Sequence, residues 1–293
     1  MPISQSELRD LLLAYRQENW KGIQTPEWQR RNAEDMSQES VDIPVLRKVS
    51  VYRAIPVGTR VLDVGSGVGG LVVACRRQGL RAFGVEPDRI GKGSQLTAIQ
   101  IARRRVDESV FVAAIGEQLP FPDRSFDLVI LDQVLEHVRD QAAVLREALR
   151  VLDDHGIIYA AFPNYLRFYE PHYKIFWIPL MPKHLARWYL RLRARNPVLA
   201  EQLTYTTNGR VRRLLRSLGE DLVVIDLNRQ KFVKKSVNGT FVSKRLRFVS
   251  ALNQLPLVGK LTLSMALFCV RLREGGSEML VLRRKPQEKT GAC

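Results

Sequence analysis

A glycine-rich stretch, VLDVGSGVGG at positions 61–70, constrains this chain more than any other feature. It joins a short apolar run that is typical of a strand to a run, GLVVACRRQG, that is typical of a helix ended by glycine. Glycines at such a junction allow the backbone to approach a ligand at the start of the helix. The stretch therefore predicts a ligand site at the edge of a sheet that is covered by helices.

The alternation of strand and helix continues along most of the chain. The apolar runs predict strands at 60–65, 81–87, 110–115, 125–132, 156–163, 221–227 and 278–285. The intervening patterns predict helices at 4–20, 70–79, 90–105, 140–151 and 207–218. This order is typical of a parallel sheet with helices on both faces.

The predicted fold is α/β: a seven-stranded Rossmann-like sheet, an N-terminal helical cap and two lid insertions. The predicted divisions are a helical cap at 1–55, a core at 56–163, an acceptor or lid insertion at 164–206, more core at 207–227, a second insertion at 228–276 and a last strand and tail at 277–293.

The glycines alone fit two ligands, a dinucleotide and a methyl donor that carries a sulfonium. Asp63 lies two residues before the first glycine, where its carboxylate would repel a diphosphate and favour a cationic ligand. Glu86 ends the second strand, at the distance expected of an acid that binds ribose hydroxyls. Asp63 therefore favours the methyl donor, whereas Glu86 supports a nucleoside without choosing between the two ligands. In another interpretation, Asp63 only orders the amides of the loop.

Three blocks in order, VLDVGSGVGG, GVEPD and GEQLPFPDRSFDLVILDQVLEHV, resemble the class I S-adenosylmethionine-dependent methyltransferases. Within that class, the chain resembles the group with an LPFPDxSFD…EHV block, strongly over about residues 55–165. The resemblance implies that S-adenosyl-L-methionine is the cofactor. It also implies that a methionine-binding loop is formed by Asp63, Gly65, Ser66, Gly67 and Gly69.

The resemblance assigns the ribose hydroxyls to Glu86 and the adenine surroundings to Pro87 and Asp88. Relatives often carry an Asp where this chain has Ile115. Either a backbone carbonyl or Glu117 would then take the adenine amine, or donor binding would be weaker than usual; Gly116 and Glu117 are the cofactor-binding residues expected there. Asp132, at the end of the fourth strand, is expected to contact the methionine end of the donor.

Methyl transfer requires an aligned acceptor and, for a hydroxyl, a group that removes its proton. His137 follows the fourth strand and titrates near neutrality, which makes it a base candidate; a structural histidine is the alternative. Glu136 and His137 would need a third ligand to hold a divalent metal. The sequence reveals no such ligand, so no metal site is predicted.

The run FPNYLRFYEPHYKIFW at 162–177 follows the fifth strand, where acceptor loops of this fold lie. His172 is the second base candidate, and the predicted acceptor-binding residues are Asn164, Tyr165, Tyr169, Glu170 and Tyr173. A packed lid is the other interpretation of these aromatics. The N-P-P-Y motif of amino-directed methyltransferases is absent after the fourth strand, which disfavours a nucleobase amine as acceptor.

The formal net charge of +16 favours an anionic neighbour. The segment 174–195 mixes tryptophan, leucine and arginine in the pattern of an interfacial helix, and 251–272 adds an apolar stretch. Packing of both insertions on the sheet is the plainer alternative. No recognised RNA-binding module accompanies the arginines, so nucleic acid is disfavoured.

No apolar signal core occurs at the N-terminus, and Cys75, Cys269 and Cys293 form no disulfide or zinc pattern. These features predict a cytoplasmic protein, with peripheral attachment to a membrane as a further expectation. The expected reaction is O-methylation of a small or lipid-linked acceptor, either a glycan or glycolipid intermediate or a quinone-like molecule. C-methylation stays open, and an RNA methyltransferase and a non-catalytic donor-binding scaffold are the alternatives.

Overall fold

The computed structural model describes residues 3–38, 43–88, 97–106, 108–219, 221–230 and 276–283. The helices within these residues are α1 (Gln5–Asn19), α2 (Pro26–Ser37), α3 (Pro44–Ser50), α4 (Gly70–Arg77), α5 (Ala98–Arg103), α6 (Gln141–Val151), α7 (Lys183–Leu192), α8 (Val198–Gln202) and α9 (Asn208–Ser217). The strands are β1 (Arg60–Val64), β2 (Arg81–Glu86), β3 (Phe111–Ala113), β4 (Phe126–Asp132), β5 (Leu152–Pro163), β6 (Tyr169–Glu170), β7 (Ile175–Phe176), β8 (Leu222–Asp226) and β9 (Gly276–Arg283).

Seven strands form one sheet in the order β3-β2-β1-β4-β5-β9-β8. The first five strands of the chain are parallel, whereas β9 runs antiparallel to both β5 and β8. The strand order reverses between β1 and β4, and ligands of such sheets bind beyond the carboxyl ends of the strands at that point. The predicted seven-stranded Rossmann-like sheet is therefore confirmed.

The sheet buries both of its faces, as its nearly continuous apolar strands require. One face packs on α6 and α9 in a core that contains Leu62 and Leu131. The opposite face packs on α3, α4 and α5, around Val61 and Ile130. Neighbouring residues of one strand therefore enter different cores, because side chains alternate across a sheet.

The N-terminal helical cap begins at Ser4, whose hydroxyl accepts a hydrogen bond from the backbone N–H of Glu7 at 3.3 Å. Leu8 and Leu12 of α1 are buried against Val68, which lies in the glycine loop. The apolar side of this helix thus packs in one cluster with the loop that follows β1.

The insertion at 164–206 contains the β6–β7 hairpin, α7 and α8. It has a core of its own, in which Trp177, Met181 and Leu190 pack with Ile23 of the cap. The first insertion is therefore held on the helical cap. Residues 231–275, nearly all of the second predicted insertion, lie outside the described residues together with Cys269, as does Cys293 in the tail. The lid role of both insertions and the domain boundaries stay predictions.

Among the described helices, none is long and apolar enough to cross a membrane.

Candidate active site at the carboxyl edge of the sheet

The glycine loop between β1 and α4 adopts backbone conformations that favour glycine. Gly65, Gly67 and Gly69 have φ values of 72°, 52° and 79°. A Cβ at Gly65 would lie 2.8 Å from the Val134 side chain, and one at Gly69 would lie 2.6 Å from Phe111. A Cβ at Gly67 would meet no atom within 4 Å. The first and third glycines therefore serve packing, while the second leaves room for a ligand.

Two polar groups of the loop fit a nucleoside ligand. Glu86, at the end of β2, accepts a hydrogen bond from the backbone N–H of Gly67 at 2.9 Å. The hydroxyl of Ser66 is buried and has no hydrogen-bond partner among the described residues. Because buried polar groups are normally paired, an orphaned hydroxyl beside an open glycine fits a loop that binds a polar ligand.

Asp63 supplies negative charge beneath the loop. The residue is 5% exposed, and no lysine or arginine of the described chain pairs with it. Burial raises the pKa of Asp63 well above its usual value, and the negative charges of Asp132 and Glu86 raise it further. A cationic ligand would relieve this repulsion, so the site fits the sulfonium and ammonium of a methyl donor better than a diphosphate.

The predicted adenine side is described only in part. Pro87 and Asp88 follow β2, and the next eight residues lie outside the described residues. Gly116 is buried against Val64 and Val144. Glu117 accepts a hydrogen bond from the backbone N–H of Arg139 at 3.1 Å, so its carboxylate already stabilises the loop after β4. Ile115 is exposed, and the roles of Gly116 and Glu117 toward adenine stay predictions.

Helix α1 covers the donor end, which sequence reasoning missed. Burial raises the pKa of Tyr15, Arg16 opposes this effect, and the charge of Glu86 raises it again, so the phenol lies within electrostatic range of the predicted ribose-binding acid. Arg16 in turn lies over the Trp20 ring at 5.4 Å. The only sequence signal for this arrangement is the aromatic end of an otherwise ordinary amphipathic helix.

A second group of side chains begins just after β4, beside the donor end. Gln133, directly after Asp132, has a φ of 58°, an uncommon conformation that turns the chain sharply at the strand end. Glu136 follows and is completely buried. Burial raises the pKa of Glu136 to about 7; His172 opposes this rise, and the charges of Asp132 and Glu170 add to it.

The carboxylate of Glu136 lacks the partners that a buried charge requires. Neither of its oxygens has a hydrogen-bond partner in another described residue, and the charged form is favoured by its own backbone N–H and by the charge of His172. The Nε2 of His137 lies 3.9 Å from Oε1, but this ring is neutral at pH 7 and supplies no positive charge. A carboxylate that is buried without a compensating charge lowers the stability of the folded protein, so Glu136 does not serve to stabilise the fold.

The two histidines that sequence reasoning placed in separate loops lie together. The rings of His137 and His172 meet edge to face with their centroids 5.4 Å apart. Desolvation of the ring and the charge of His172 lower the pKa of His137 to about 4, which leaves it neutral at pH 7. One ligand atom from each histidine and one from Glu136 all lie within 4.8 Å of one another.

Glu170 holds His172 in place from behind. Its carboxylate accepts hydrogen bonds from His172 Nδ1 at 2.8 Å, from the Tyr173 backbone N–H at 2.7 Å and from the Tyr165 hydroxyl at 3.3 Å. With Nδ1 engaged, Nε2 is the nitrogen that His172 can offer to a ligand.

The helical cap also contacts the cluster of Glu136, His137 and His172, and this contact was not predicted from the sequence. The Trp20 ring is stacked near His172 with the centroids 6.4 Å apart. The side-chain amide of Gln24 donates a hydrogen bond to the His172 carbonyl oxygen. Gln29, also buried, donates to the carbonyl oxygens of Trp20 and Gln24. The sequence shows only two glutamines in a polar segment, and their burial is visible in the structure alone.

The other predicted acceptor residues occupy different environments. Tyr165 and Tyr173 are buried, and the Tyr173 hydroxyl donates to the Asn196 carbonyl oxygen at 2.6 Å. Asn164 is buried, and its side-chain oxygen accepts from the Leu166 N–H at 3.3 Å. Tyr169 is 40% exposed on the hairpin. Of the predicted set, the structure brings Glu170 into the histidine cluster, while direct acceptor contacts by the other four residues stay predictions.

Residues 62–160 match the family model described as a methyltransferase domain. An uncharacterized methyltransferase of Mycobacterium leprae (strain Br4923) is 34% identical over 118 residues, which is 40% of this chain and 42% of the relative. The 2-methyl-6-phytyl-1,4-hydroquinone methyltransferase of Synechocystis sp. (strain ATCC 27184 / PCC 6803 / Kazusa) is 31% identical over 134 residues, 44% of this chain and 40% of the relative.

A demethylmenaquinone methyltransferase of Tropheryma whipplei (strain Twist) is 29% identical over 153 residues, 51% of this chain and 59% of the relative. The chain thus spans roughly two fifths to three fifths of the length of these curated relatives. The methyltransferase domain inferred from the sequence is confirmed over residues 62–160.

Proposed function

We propose that this chain, whose residues 62–160 belong to the methyltransferase-domain family, transfers a methyl group from S-adenosyl-L-methionine to an oxygen of a small or lipid-linked acceptor. The observation that carries the proposal is the cluster of Glu136, His137 and His172 beside the glycine loop. The donor supplies an activated methyl group. The protein has only to align the acceptor and manage the proton of its hydroxyl.

The donor end supports binding of a cation. Asp63 is a buried acid with raised pKa beneath the loop, and Glu86 fixes the loop through Gly67. Two neighbouring residues of this loop offer a polar group and space to the ligand: the Ser66 hydroxyl has no partner among the described residues, and Gly67 has open space at its Cβ position. We expect Asp63 and the loop to hold the methionine end and Glu86 to accept from the ribose hydroxyls.

The acceptor end supports an oxygen acceptor. A neutral His137 and a His172 held by Glu170 through Nδ1 provide proton-accepting nitrogens next to a buried carboxylate. Two relatives act on a hydroquinone and on demethylmenaquinone, as their names state, which supports a quinone-like acceptor for this chain. Methylation of a ring carbon beside a hydroxyl would use the same proton-accepting groups.

The outer surface of the first insertion supports a lipid-linked acceptor. Helix α7 buries Ala186 and Leu190, while Leu185, Trp188 and Leu192 are 47%, 63% and 64% exposed. The neighbouring hairpin and loop expose more large apolar side chains, namely Phe168, Phe176, Ile178 and Leu180. Exposed apolar groups beside arginines are typical of surfaces that enter the headgroup region of a membrane. We expect this surface to bring the site to a bilayer.

The test is incubation of the chain with radiolabelled S-adenosylmethionine and fractionated lipid, glycan and RNA extracts. We expect label in a lipid or small-molecule fraction, as an ether that survives mild base. Label on a ring carbon would replace the oxygen acceptor, and label in RNA would favour the nucleic-acid alternative. Donor binding without turnover on any extract would favour a non-catalytic scaffold.

A further inference from the structure

We propose that Glu136, His137 and His172 form a binding site for one divalent transition-metal ion of the zinc type. One ligand atom from each of the three lies within 4.8 Å of the other two. Ligands of a bound Zn²⁺ lie roughly 3–4 Å apart, because each is bonded at about 2.0–2.2 Å. Side-chain rotations that bring the three ligand atoms roughly 1–2 Å closer together would therefore allow all of them to bind one ion.

The buried carboxylate is the first observation that points to a ligand. Glu136 is 0% exposed, and neither oxygen has a partner in another described residue. Among the described residues, no lysine or arginine forms an ion pair with Glu136 or Glu170, and the basic groups beside them are His137 and His172. A divalent ion would supply the two positive charges that balance the two carboxylates.

The second observation is the orientation of His172. Metal-bound histidines commonly donate their other ring N–H to a carboxylate, which fixes the tautomer and the direction of the ring. Glu170 makes this contact with Nδ1 at 2.8 Å and is itself held by the Tyr173 N–H and the Tyr165 hydroxyl. The ring is thus oriented before any ion binds, and Nε2 remains as the ligand atom.

The ligand set selects the type of ion. Two imidazoles and one carboxylate suit Zn²⁺ and the other late first-row divalent transition metals, whereas Mg²⁺ and Ca²⁺ prefer oxygen ligands. Three protein ligands leave a fourth position open, as in catalytic zinc sites. If the proposed function holds, this position would bind the acceptor oxygen, and the histidine nitrogens would then be ligands of the ion and not proton acceptors. The ion-binding site itself does not depend on that function.

The sequence alone predicted no metal because the third ligand, His172, lies thirty-five positions after His137 in a different segment. The carboxylate that holds His172 also comes from the insertion and not from the EHV block. The fold supplies this proximity.

The test is titration of the full-length protein, without a histidine tag and without donor or acceptor, with Co²⁺ and Zn²⁺. We expect one equivalent of Co²⁺ to bind with a visible spectrum of nitrogen and oxygen ligation, and Zn²⁺ to displace it. Glu136→Gln and His172→Asn should each weaken binding about 100-fold, and Glu170→Gln about 10-fold. Mg²⁺ at millimolar concentration should not compete.

The matched control is the double variant His155→Ala/His184→Ala, which removes the two histidines outside the cluster, both of them exposed. It should bind Co²⁺ as the parent chain does. Equal affinity of the parent, Glu136→Gln and His172→Asn variants would overturn the proposal, as would sulfur ligation in the spectrum. Should one variant fail to fold, as judged by its unfolding transition, the other carries the test.

Binding of S-adenosylhomocysteine by calorimetry separates this proposal from the proposed function. A chain that binds the nucleoside and methylates an acceptor but takes up no ion refutes the metal site only. A chain that takes up one ion but labels no acceptor refutes the methyl transfer only.

Discussion

The two ends of the site are built in different ways. The donor end comes from one continuous stretch, β1 and the glycine loop, plus one acid from the adjacent strand. The acceptor end joins the loop after β4, the first insertion and the helical cap. A site made by neighbouring strand ends can be recognised from spacing, because the register of parallel strands fixes it. A site assembled from distant segments depends on their packing, which spacing does not encode.

The largest effect is expected at the acceptor end. His172→Ala and His137→Ala should each lower turnover at saturating donor by about 10²–10⁴, because a proton-accepting or ion-binding group is lost. Affinity for S-adenosylhomocysteine should stay within about twofold of the parent. His184→Ala, on the exposed side of α7, is the control for general effects of losing a histidine. Unchanged turnover in both cluster variants would remove histidine from the chemistry.

The next effect concerns stability at the donor end and separates packing glycines from the ligand-facing one. Gly69→Ala combines a φ of 79° with contact of the new Cβ at 2.6 Å from Phe111, so we expect a loss of roughly 3 kcal/mol in the free energy of unfolding. Gly67→Ala has open space around its Cβ and should lose only about 1–2 kcal/mol. Urea unfolding of both variants without ligand measures the difference.

A ligand titration completes that comparison. Gly67→Ala should weaken donor binding even though it folds, because its new methyl group points into the space left for the ligand. Equal unfolding free energies for the two variants would contradict the division of the loop into packing and binding glycines.

A smaller effect is expected from the acid on β2. Glu86→Gln should weaken S-adenosylmethionine binding about 10-fold, because the amide accepts less strongly from ribose hydroxyls and from the Gly67 N–H. The exposed Asp35→Asn, in α2 and outside the predicted donor site, should change it less than threefold. Calorimetric titration of both variants provides the measurement, and equal losses would argue against a specific ribose contact by Glu86.

Most of the core could be predicted from the sequence, and the reasons are local. The strands occur where the apolar runs indicate. Helix α6 begins after Asp140, whose side chain accepts hydrogen bonds from the backbone N–H groups of Ala142 and Ala143. Glu86 could be placed near the glycine loop because β1 and β2 are parallel neighbours in register. These features need only the periodicity of a strand and the order of a parallel sheet.

The contacts between the helical cap and the histidine cluster could not be predicted from the sequence, because they depend on tertiary packing. Trp20 and Gln24 lie beside His172 because the helical cap that carries them packs against the insertion. Tyr173 reads as a stacking residue in sequence, yet its ring is buried and its hydroxyl is bonded within the insertion. An aromatic run in an insertion does not reveal which rings face a ligand and which fill a core.

The smallest effect tests whether the acceptor end reaches a bilayer through the outer face of the insertion. Leu185→Ser/Trp188→Ser should weaken binding to vesicles that contain anionic phospholipid about fivefold, equivalent to roughly 1 kcal/mol, because both side chains are exposed and apolar. Nucleoside binding should stay unchanged, since neither residue belongs to the glycine loop. Val51→Ser, at a site that is 76% exposed just after α3, is the matched control and should bind vesicles as the parent does. Equal vesicle binding by all three proteins would mean that the exposed face of α7 serves some purpose other than membrane contact, and the acceptor would then have to reach the histidines from water.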